Sequence, residues 1–235
     1  MHTGGRRGVP DTHFDAFWYI LRNACAWRAL PAEFGKWGTV FQFWNRLSKA
    51  GFTDFVHDRL VCGNEAEAVF FDSTHRKVHQ HANDAGTNEE RGVGTSRGGL
   101  NTKIHAVVDV LGRLAGKLIF TPGNVSDFSV APALTAELKD VFGVADKGYD
   151  SKTIRKDLRA RGCEPCIPCR KNTRVPEAYD ATLYRARHCV ENVWQRIKVF
   201  RRVASRFEKT LRMFEFFVIL ALATIYERDG LWIPM

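Results

Sequence analysis

The chain of 235 residues has the length of one large domain, or of one domain with a small appendage. Hydrophobic residues account for 45% of it and charged residues for 26%, a balance that excludes wholesale disorder. Lys and Arg number 35 against 26 Asp and Glu, so the formal net charge of +9 favours a polyanionic partner.

The apolar segments are too short for a protein that spans a membrane. The longest covers residues 216–226, about half of the roughly 20 residues that a membrane-spanning helix needs. The first residues lack an apolar core of the signal-peptide type, and six cysteines in such a chain favour a reducing compartment and free thiols. We therefore expect a cytoplasmic, nucleoid-associated protein without a membrane partner.

The first third of the sequence has helical periodicity. Apolar residues such as Trp18 and Leu21 recur every three or four positions after Asp11, which is a plausible helix cap. Two further amphipathic runs follow, and the first of them ends at Gly51. Residues 1–66 are therefore predicted to form a small helical DNA-binding subdomain, either a helix-turn-helix or a simple three-helix packing unit.

The pattern changes to strands at Ala68, and residues 67–235 are predicted to form a second domain. Short apolar strands are predicted to end on Asp72 and on Asp146. Ser126 is the predicted cap of a helix over 127–140. The other predicted elements are strands over 103–110, 114–121 and 164–168, and helices over 151–161, 181–206 and 210–228. This order indicates a mixed α/β sheet flanked by helices.

Asp72, Asp146 and Glu191 are the candidate site residues. Carboxylates that follow strands project from the sheet edge where ligands bind, although either Asp alone is also explained as a turn cap. Glu191 shares one face of the predicted long helix with Tyr184, Arg187 and Lys198, within a sector of about 60°. A solvated charged face is the alternative explanation of this stripe.

Three converging carboxylates repel one another unless cations neutralise them. Hard divalent ions with oxygen ligands do so, and two Mg²⁺ ions about 4 Å apart stabilise in-line displacement at phosphorus. Residues 151–212 contain 17 Lys or Arg and 6 Asp or Glu, a net charge of +11. An acidic metal site within a basic surface is typical of phosphodiester chemistry.

Several motifs together resemble one family. They are Phe71-Asp72-Ser73-Thr74-His75, Ser96-Arg97-Gly98-Gly99-Leu100, Thr102-Lys103-Ile104-His105-Ala106, Thr121-Pro122-Gly123, Ser126-Asp127, Ala145-Asp146-Lys147-Gly148-Tyr149-Asp150, and the spacing of Tyr184, Arg187, Glu191 and Lys198. The sequence resembles the DDE-type transposases of bacterial insertion sequences, specifically insertion-sequence family five, which is related to family four. The resemblance covers nearly the whole chain.

The resemblance implies a compact ribonuclease-H-like, retroviral-integrase-like core. It implies that Asp72, Asp146 and Glu191 form the catalytic triad and hold two Mg²⁺ ions, for which Mn²⁺ substitutes. It also implies a metal-activated water that cuts DNA at the element's terminal inverted repeats, and a freed 3′-hydroxyl that attacks target DNA. A homodimer on DNA is expected. The implied DNA contacts are Tyr184, Arg187, Lys198, Arg97, Lys103, Lys147, His75, Arg201 and Arg202.

The N-terminal segment resembles the family too, including Trp27-Arg28 and Leu30-Pro31, where it is expected to help bind the element's ends. Family members carry a further helical stretch before the equivalent of Gly8-Val9-Pro10. We therefore expect a truncated reading frame or one half of a frameshifted product. The alternatives for function are a truncated remnant that only binds DNA, and a simple metal-dependent nuclease.

Two other groups of residues allow a metal interpretation. Cys163, Cys166 and Cys169 have a spacing used by zinc sites, but their placement on a predicted strand sends neighbouring thiols to opposite faces. His75, His79 and His81 follow the first acid, and for His75 a contact to DNA or an acid–base role is more plausible than a metal ligand. Trp194 is predicted to lie in the core.

Overall fold

The computed structural model of the protein describes residues 11–62, 66–82, 91–171, 173 and 175–231. Within these residues, the helices are α1 (Asp11–Asn23), α2 (Trp37–Lys49), α3 (Phe52–Leu60), α4 (Asp127–Leu134), α5 (Lys152–Arg159), α6 (Ala181–Arg185), α7 (His188–Ile197), α8 (Arg201–Ala204) and α9 (Leu211–Asp229). The strands are β1 (Ala68–Val78), β2 (Gly94–Ser96), β3 (Gly99–Asp109), β4 (Ile119–Pro122), β5 (Phe142–Ala145), β6 (Glu164–Cys166) and β7 (Ser205–Arg206).

The strands form one mixed sheet in the order β2-β3-β1-β5-β6, with β4 beside β3 and β7 beside β1. The long strands β1 and β3 are antiparallel, whereas β5 is parallel to β1 and β6 is parallel to β5. Phe71 of β1 is paired with Ala145 of β5, so the residues that follow them leave the two strands side by side. The predicted mixed sheet flanked by helices is confirmed.

The alternation of side chains along β1 divides the hydrophobic core between the two faces of the sheet. Phe70 belongs to the cluster formed with α7 and α9, which includes Trp194 and Phe217. Phe71 belongs to the opposite cluster, which contains Leu158 of α5. Both faces of the sheet are therefore covered, and β1 is the strand that connects the two layers.

The N-terminal helices pack into the core of the sheet rather than into one of their own. Phe17 of α1 stacks on Phe217 of α9 with ring centroids 4.6 Å apart, and Trp44 of α2 lies 5.7 Å from Phe216. All four side chains are buried. The predicted boundary at residue 66 falls between α3 and β1, but hydrophobic packing continues across it.

Two predicted elements have other bounds in the structure. The strand predicted to end on Asp72 continues to Val78, because β1 pairs with β3 along its polar half as well. The strand predicted over 114–121 forms as β4 only from Ile119, and before it Leu114 makes two isolated bridges, to Val61 and Val108. Asp72 therefore lies inside a strand, although it follows the last residue of β1 that pairs with β5.

The helix predicted over 181–206 is divided into α6, α7 and α8. At the second break the backbone bonds span three residues instead of four, as in the 3.2 Å bond from the Phe200 N–H to the Ile197 oxygen. Phe200 itself is extended, and the chain then pairs as β7 with the end of β1. The helix predicted over 127–140 ends at Leu134, and its predicted cap is confirmed because Ser126 accepts a bond from the Ser129 N–H.

Helix α9 contains the longest apolar segment, and its interior residues are buried in the core. Within the described ranges, none of the helices combines the length and the hydropathy needed to cross a membrane.

Candidate active site

Two acidic residues lie next to each other where β1 separates from β5. Asp72 and Asp146 directly follow the paired residues Phe71 and Ala145, and paired strands are about 4.8 Å apart. Asp146 caps the short turn that follows β5, because its Oδ1 accepts a 2.8 Å bond from the Gly148 N–H. The strand register thus fixes one acid relative to the other, as their positions after two apolar strands predicted.

The carboxylate of Asp72 is partly buried against α7 and against Arg187, which directly precedes that helix. Its side chain is 17% exposed, Oδ2 accepts a 3.1 Å bond from the indole N–H of Trp194, and Oδ1 lies 3.4 Å from the Arg187 guanidinium. Burial raises the pKa of Asp72 from 3.8 to about 6. Arg187 lowers this pKa, Asp146 raises it, and the bond from Trp194 lowers it. The dominant cause is loss of hydration around the charged form.

Arg187 connects Asp72 with Glu191. One terminal nitrogen of Arg187 lies 2.5 Å from Glu191 Oε1 while the other faces Asp72. Burial by itself lowers the pKa of Arg187, but the charges of Asp72 and Glu191, with smaller contributions from Tyr184 and Asp146, raise it overall. One guanidinium therefore contacts two acids of the predicted triad, Asp72 and Glu191.

The carboxylates of Asp72, Asp146 and Glu191 are side chains of the type that binds divalent metal ions. Carboxylate oxygens are the ligands that Mg²⁺ prefers, and the raised pKa of Asp72 marks a carboxylate whose charged form is poorly hydrated, which a bound cation would stabilise. In the described part of the chain, no three His, Cys, Asp or Glu side chains converge closely enough to hold one ion. Arg187 instead supplies the positive charge between Asp72 and Glu191.

A fourth carboxylate, Asp127, was not among the predicted site residues. Its Oδ1 accepts a 2.7 Å bond from the Ser73 hydroxyl and a 3.0 Å bond from the Lys103 ammonium group. Burial raises the pKa of Tyr149, and the charges of Asp127, Asp72 and Asp146 raise it further. The Ser126-Asp127 motif was the signal available in the sequence, but only the fold brings Asp127 beside β1.

The predicted DNA contacts divide into surface and interior groups. The side chains that lie on the surface are His75, Arg97, Lys147, Lys198 and Arg201, and Tyr184 is half-buried. Lys103 is buried and donates to Asp127 and to the Val125 oxygen.

The prediction that Arg202 contacts DNA is not supported by its position in the structure. Arg202 is buried and donates to Glu208 at 2.8 Å and to the Cys25 oxygen at 2.6 Å. The physical reason is the break after α7, which turns Arg202 into the core while Arg201 remains outside. Its cation is thus an internal counter-charge for Glu208.

The cysteine and histidine groups are engaged in other contacts. Cys163, Cys166 and Cys169 face three different backbone oxygens, those of Arg161, Asp180 and Glu177. All six cysteines are free thiols. His75 Nδ1 is 2.7 Å from Asn101 Oδ1, whereas the ring of His79 stacks on Phe207 at 4.3 Å. Trp194 is buried as predicted, and its bond to Asp72 adds a polar role to the packing role.

The family model of the Transposase DDE domain matches residues 63–226, and a model described as "Putative transposase of IS4/5 family" matches residues 1–57. The chain is 40% identical to the "Putative transposase for insertion sequence element IS6501" of Brucella ovis, over 55% of this chain and all of that protein. It is 30% identical to the "Putative transposase for insertion sequence element IS402" of Burkholderia cepacia, over 49% of this chain and 57% of that protein.

The fold is similar to that of the piggyBac transposase in a cryo-EM structure of its synaptic complex with hairpin DNA. The TM-score is 0.59 at 10% identity, over 96% of this chain and 66% of that one. This likeness agrees with a ribonuclease-H-like sheet. Because the DDE-domain model matches more than half of the chain, the chain belongs to the DDE transposases of insertion sequences.

Proposed function

We propose that this transposase cuts DNA at the ends of its element and joins the freed 3′-hydroxyl to target DNA. The observation that carries the proposal is that Asp72 and Asp146 follow paired residues of two adjacent strands, while Arg187 joins Asp72 to Glu191. Acids grouped at a sheet edge within a basic chain suit a phosphodiester substrate that is bound together with cations.

Asp72, Asp146 and Glu191 would hold the divalent ions, Mg²⁺ or Mn²⁺. When bound, such ions activate an attacking oxygen and stabilise the leaving oxygen of a phosphodiester. Trp194 holds Asp72 in place through its indole N–H, and Gly148 holds Asp146 through its backbone N–H. These bonds fix two carboxylates on rigid elements, which is what an in-line displacement requires of its ligands.

The exposed cations beside the acids would hold the DNA. Lys147 follows Asp146 directly, while Lys198 and Arg201 lie on the surface at the end of α7 and the start of α8. Their charges compensate phosphates and the charge that develops during displacement. Two ends must be paired for transposition, so the proposal includes a homodimer on the terminal inverted repeats and target DNA.

The test is nicking of supercoiled plasmid with Mg²⁺ or Mn²⁺. Asp72→Asn, Asp146→Asn and Glu191→Gln are each expected to abolish metal-dependent nicking. Glu137→Gln is the matched control, because Glu137 is a 62% exposed acid paired only with the surface residue Lys117 among the contacts described. Nicking that persists in the three variants would assign the activity to another site or to a contaminant.

A second assay separates the proposed transposase from related activities. Pre-cut element ends are incubated with target plasmid, and joined products are measured. Joining that depends on the same three acids supports strand transfer. Nicking without joining would leave a simple metal-dependent nuclease, and DNA binding without nicking would leave a binding remnant.

A further inference from the structure

A cavity separate from the candidate active site lies between the N-terminal helices and the start of α9. Its volume is about 910 Å³, within the range of pockets that hold small organic ligands. One wall is aromatic, with Trp27 and Phe41 packed edge to face at 5.2 Å. The opposite wall is the stacked pair of His79 and Phe207. None of the acids of the candidate active site lines it.

Cations outnumber acids among the described residues that line this cavity. Its lining cations are Arg28, Arg202, Lys209 and Arg212. Glu208 is the one acid among the described lining residues, and its charge is already paired with Arg202 at 2.7 Å in the interior. The open part of the cavity therefore combines aromatic rings with the exposed cation Arg28.

A second cavity, of about 660 Å³, adjoins the first at Trp37 and Phe41 and is also lined by Arg46. Trp37 is 39% exposed, which is a large apolar surface to leave in water. The Arg28 guanidinium lies 5.6 Å from the centre of the Trp37 ring, so a cation and an aromatic face are presented together. We call the two cavities the aromatic groove.

We propose that the aromatic groove binds an unpaired nucleotide of DNA. The base would lie against Trp37 and Trp27, and the phosphate would lie near the exposed Arg28 and Arg46. Stacked aromatic rings beside cations are the elements with which proteins hold single-stranded nucleic acid, and Arg28 and Arg46 supply charge complementary to phosphate. The inference rests on the proposed function only in taking DNA as the substrate.

The position of the groove is compatible with one DNA molecule reaching both sites. His79 follows Asp72 by seven residues, and six of the intervening positions belong to the extended strand β1. At about 3.3 Å per residue this separation is roughly 23 Å, or about seven base-pair steps of DNA. A nucleotide in the groove would thus lie several steps from the phosphate that is cut.

The test measures the affinity of the purified chain for a short labelled single strand and for the matching duplex at fixed salt. Trp37→Ala is expected to weaken single-strand binding at least about five-fold, since stacking on one aromatic ring contributes that much or more. Trp18→Ala is the matched control, because Trp18 is 38% exposed and lies against Phe200, outside the groove. Duplex affinity is expected to change less than about two-fold in either variant.

A second pair of variants tests the role of the Arg28 guanidinium. Arg28→Ala is expected to weaken single-strand binding, whereas Arg59→Ala, which removes a cation stacked on Phe55 at 3.6 Å elsewhere, is expected to leave it unchanged. A 2-aminopurine placed about seven positions from the cut is expected to report a stacked base in wild type and not in Trp37→Ala.

Three outcomes would overturn the inference. Equal single-strand affinities of wild type and Trp37→Ala, with duplex binding and plasmid nicking intact, would reject the groove and leave the proposed function standing. A DNA-free dimer in wild type that Trp37→Ala converts to a monomer would assign the groove to a second copy of the chain. No binding of wild type to either DNA would reject the proposed function as well.

Discussion

Asp72→Asn should stabilise the metal-free protein at neutral pH, although it removes a charged contact to Arg187. Burial raises the pKa of Asp72 from 3.8 to about 6. A carboxyl group with a higher pKa in the folded chain binds its proton more tightly when folded, so its ionisation destabilises the fold as the pH rises from about 4 through 6. Asparagine has nearly the shape of the protonated acid and carries no such cost.

The magnitude follows from the shift of about two units in the pKa of Asp72. Each unit corresponds to roughly 1.4 kcal/mol, so the variant should gain about 3 kcal/mol in free energy of unfolding at pH 7.5. At pH 4.5 the unfolded acid is only partly ionised and the folded acid is protonated, which reduces the gain to about 1 kcal/mol. For a chain of this size, the gain at neutral pH corresponds to about 6–12 °C in Tm.

Urea unfolding in EDTA at pH 7.5 and pH 4.5 measures both values. Glu137→Gln, at a solvent-exposed ion pair, should change the free energy of unfolding by less than about 0.5 kcal/mol at either pH. If Asp72→Asn is no more stable than wild type at pH 7.5, the charge of Asp72 is compensated and the reasoning fails. In the absence of EDTA, added Mg²⁺ should stabilise wild type more than Asp72→Asn, because an ion that binds only the folded state raises its stability.

Trp194→Phe removes the N–H that lowers the pKa of Asp72 and should raise that pKa further, as an NMR titration of the carboxyl group would show. Glu208→Gln leaves the buried Arg202 without a counter-charge and should cost about 3 kcal/mol in urea unfolding, whereas an unchanged midpoint would mean that Arg202 moves to solvent. Lys198→Ala should reduce the slope of log affinity against log salt for DNA by about one, and an equal slope would exclude a phosphate contact.

The local pattern of the sequence predicts most of the helices and the two strands that carry the acids. Thr210 begins α9 as predicted, because its hydroxyl accepts a bond from the Met213 N–H, a contact set by residues three positions apart. The break after α7 was not predictable, since it depends on the pairing of Ser205 with Lys77 across more than a hundred residues. The helical periodicity of this segment depends on its own residues and cannot indicate a pairing with Lys77.

In the candidate site as well, contacts set by local sequence were predictable, and contacts between distant segments were not. The positions of Asp72 and Asp146 after apolar strands indicate a shared sheet edge, because strand pairing alone brings them together. Nothing in the spacing within the helical segment predicts that Trp194 donates to Asp72 or that Asp127 accepts from Ser73. These bonds join segments distant in sequence, and only packing on the two faces of the sheet determines them.

The contacts of Arg187 explain how Asp72 and Glu191 coexist before any cation is bound. Its bond to Glu191 connects residues four apart on a helix, and Glu191 is 54% exposed, so this bond contributes only about 0.5 kcal/mol. Its contact to Asp72 is 3.4 Å long. Arg187 therefore balances the acids without being held tightly to them. Under the proposed function, Asp72 and Glu191 would hold divalent ions, and the planar guanidinium of Arg187 lies beside them, where it suits a phosphate oxygen pair.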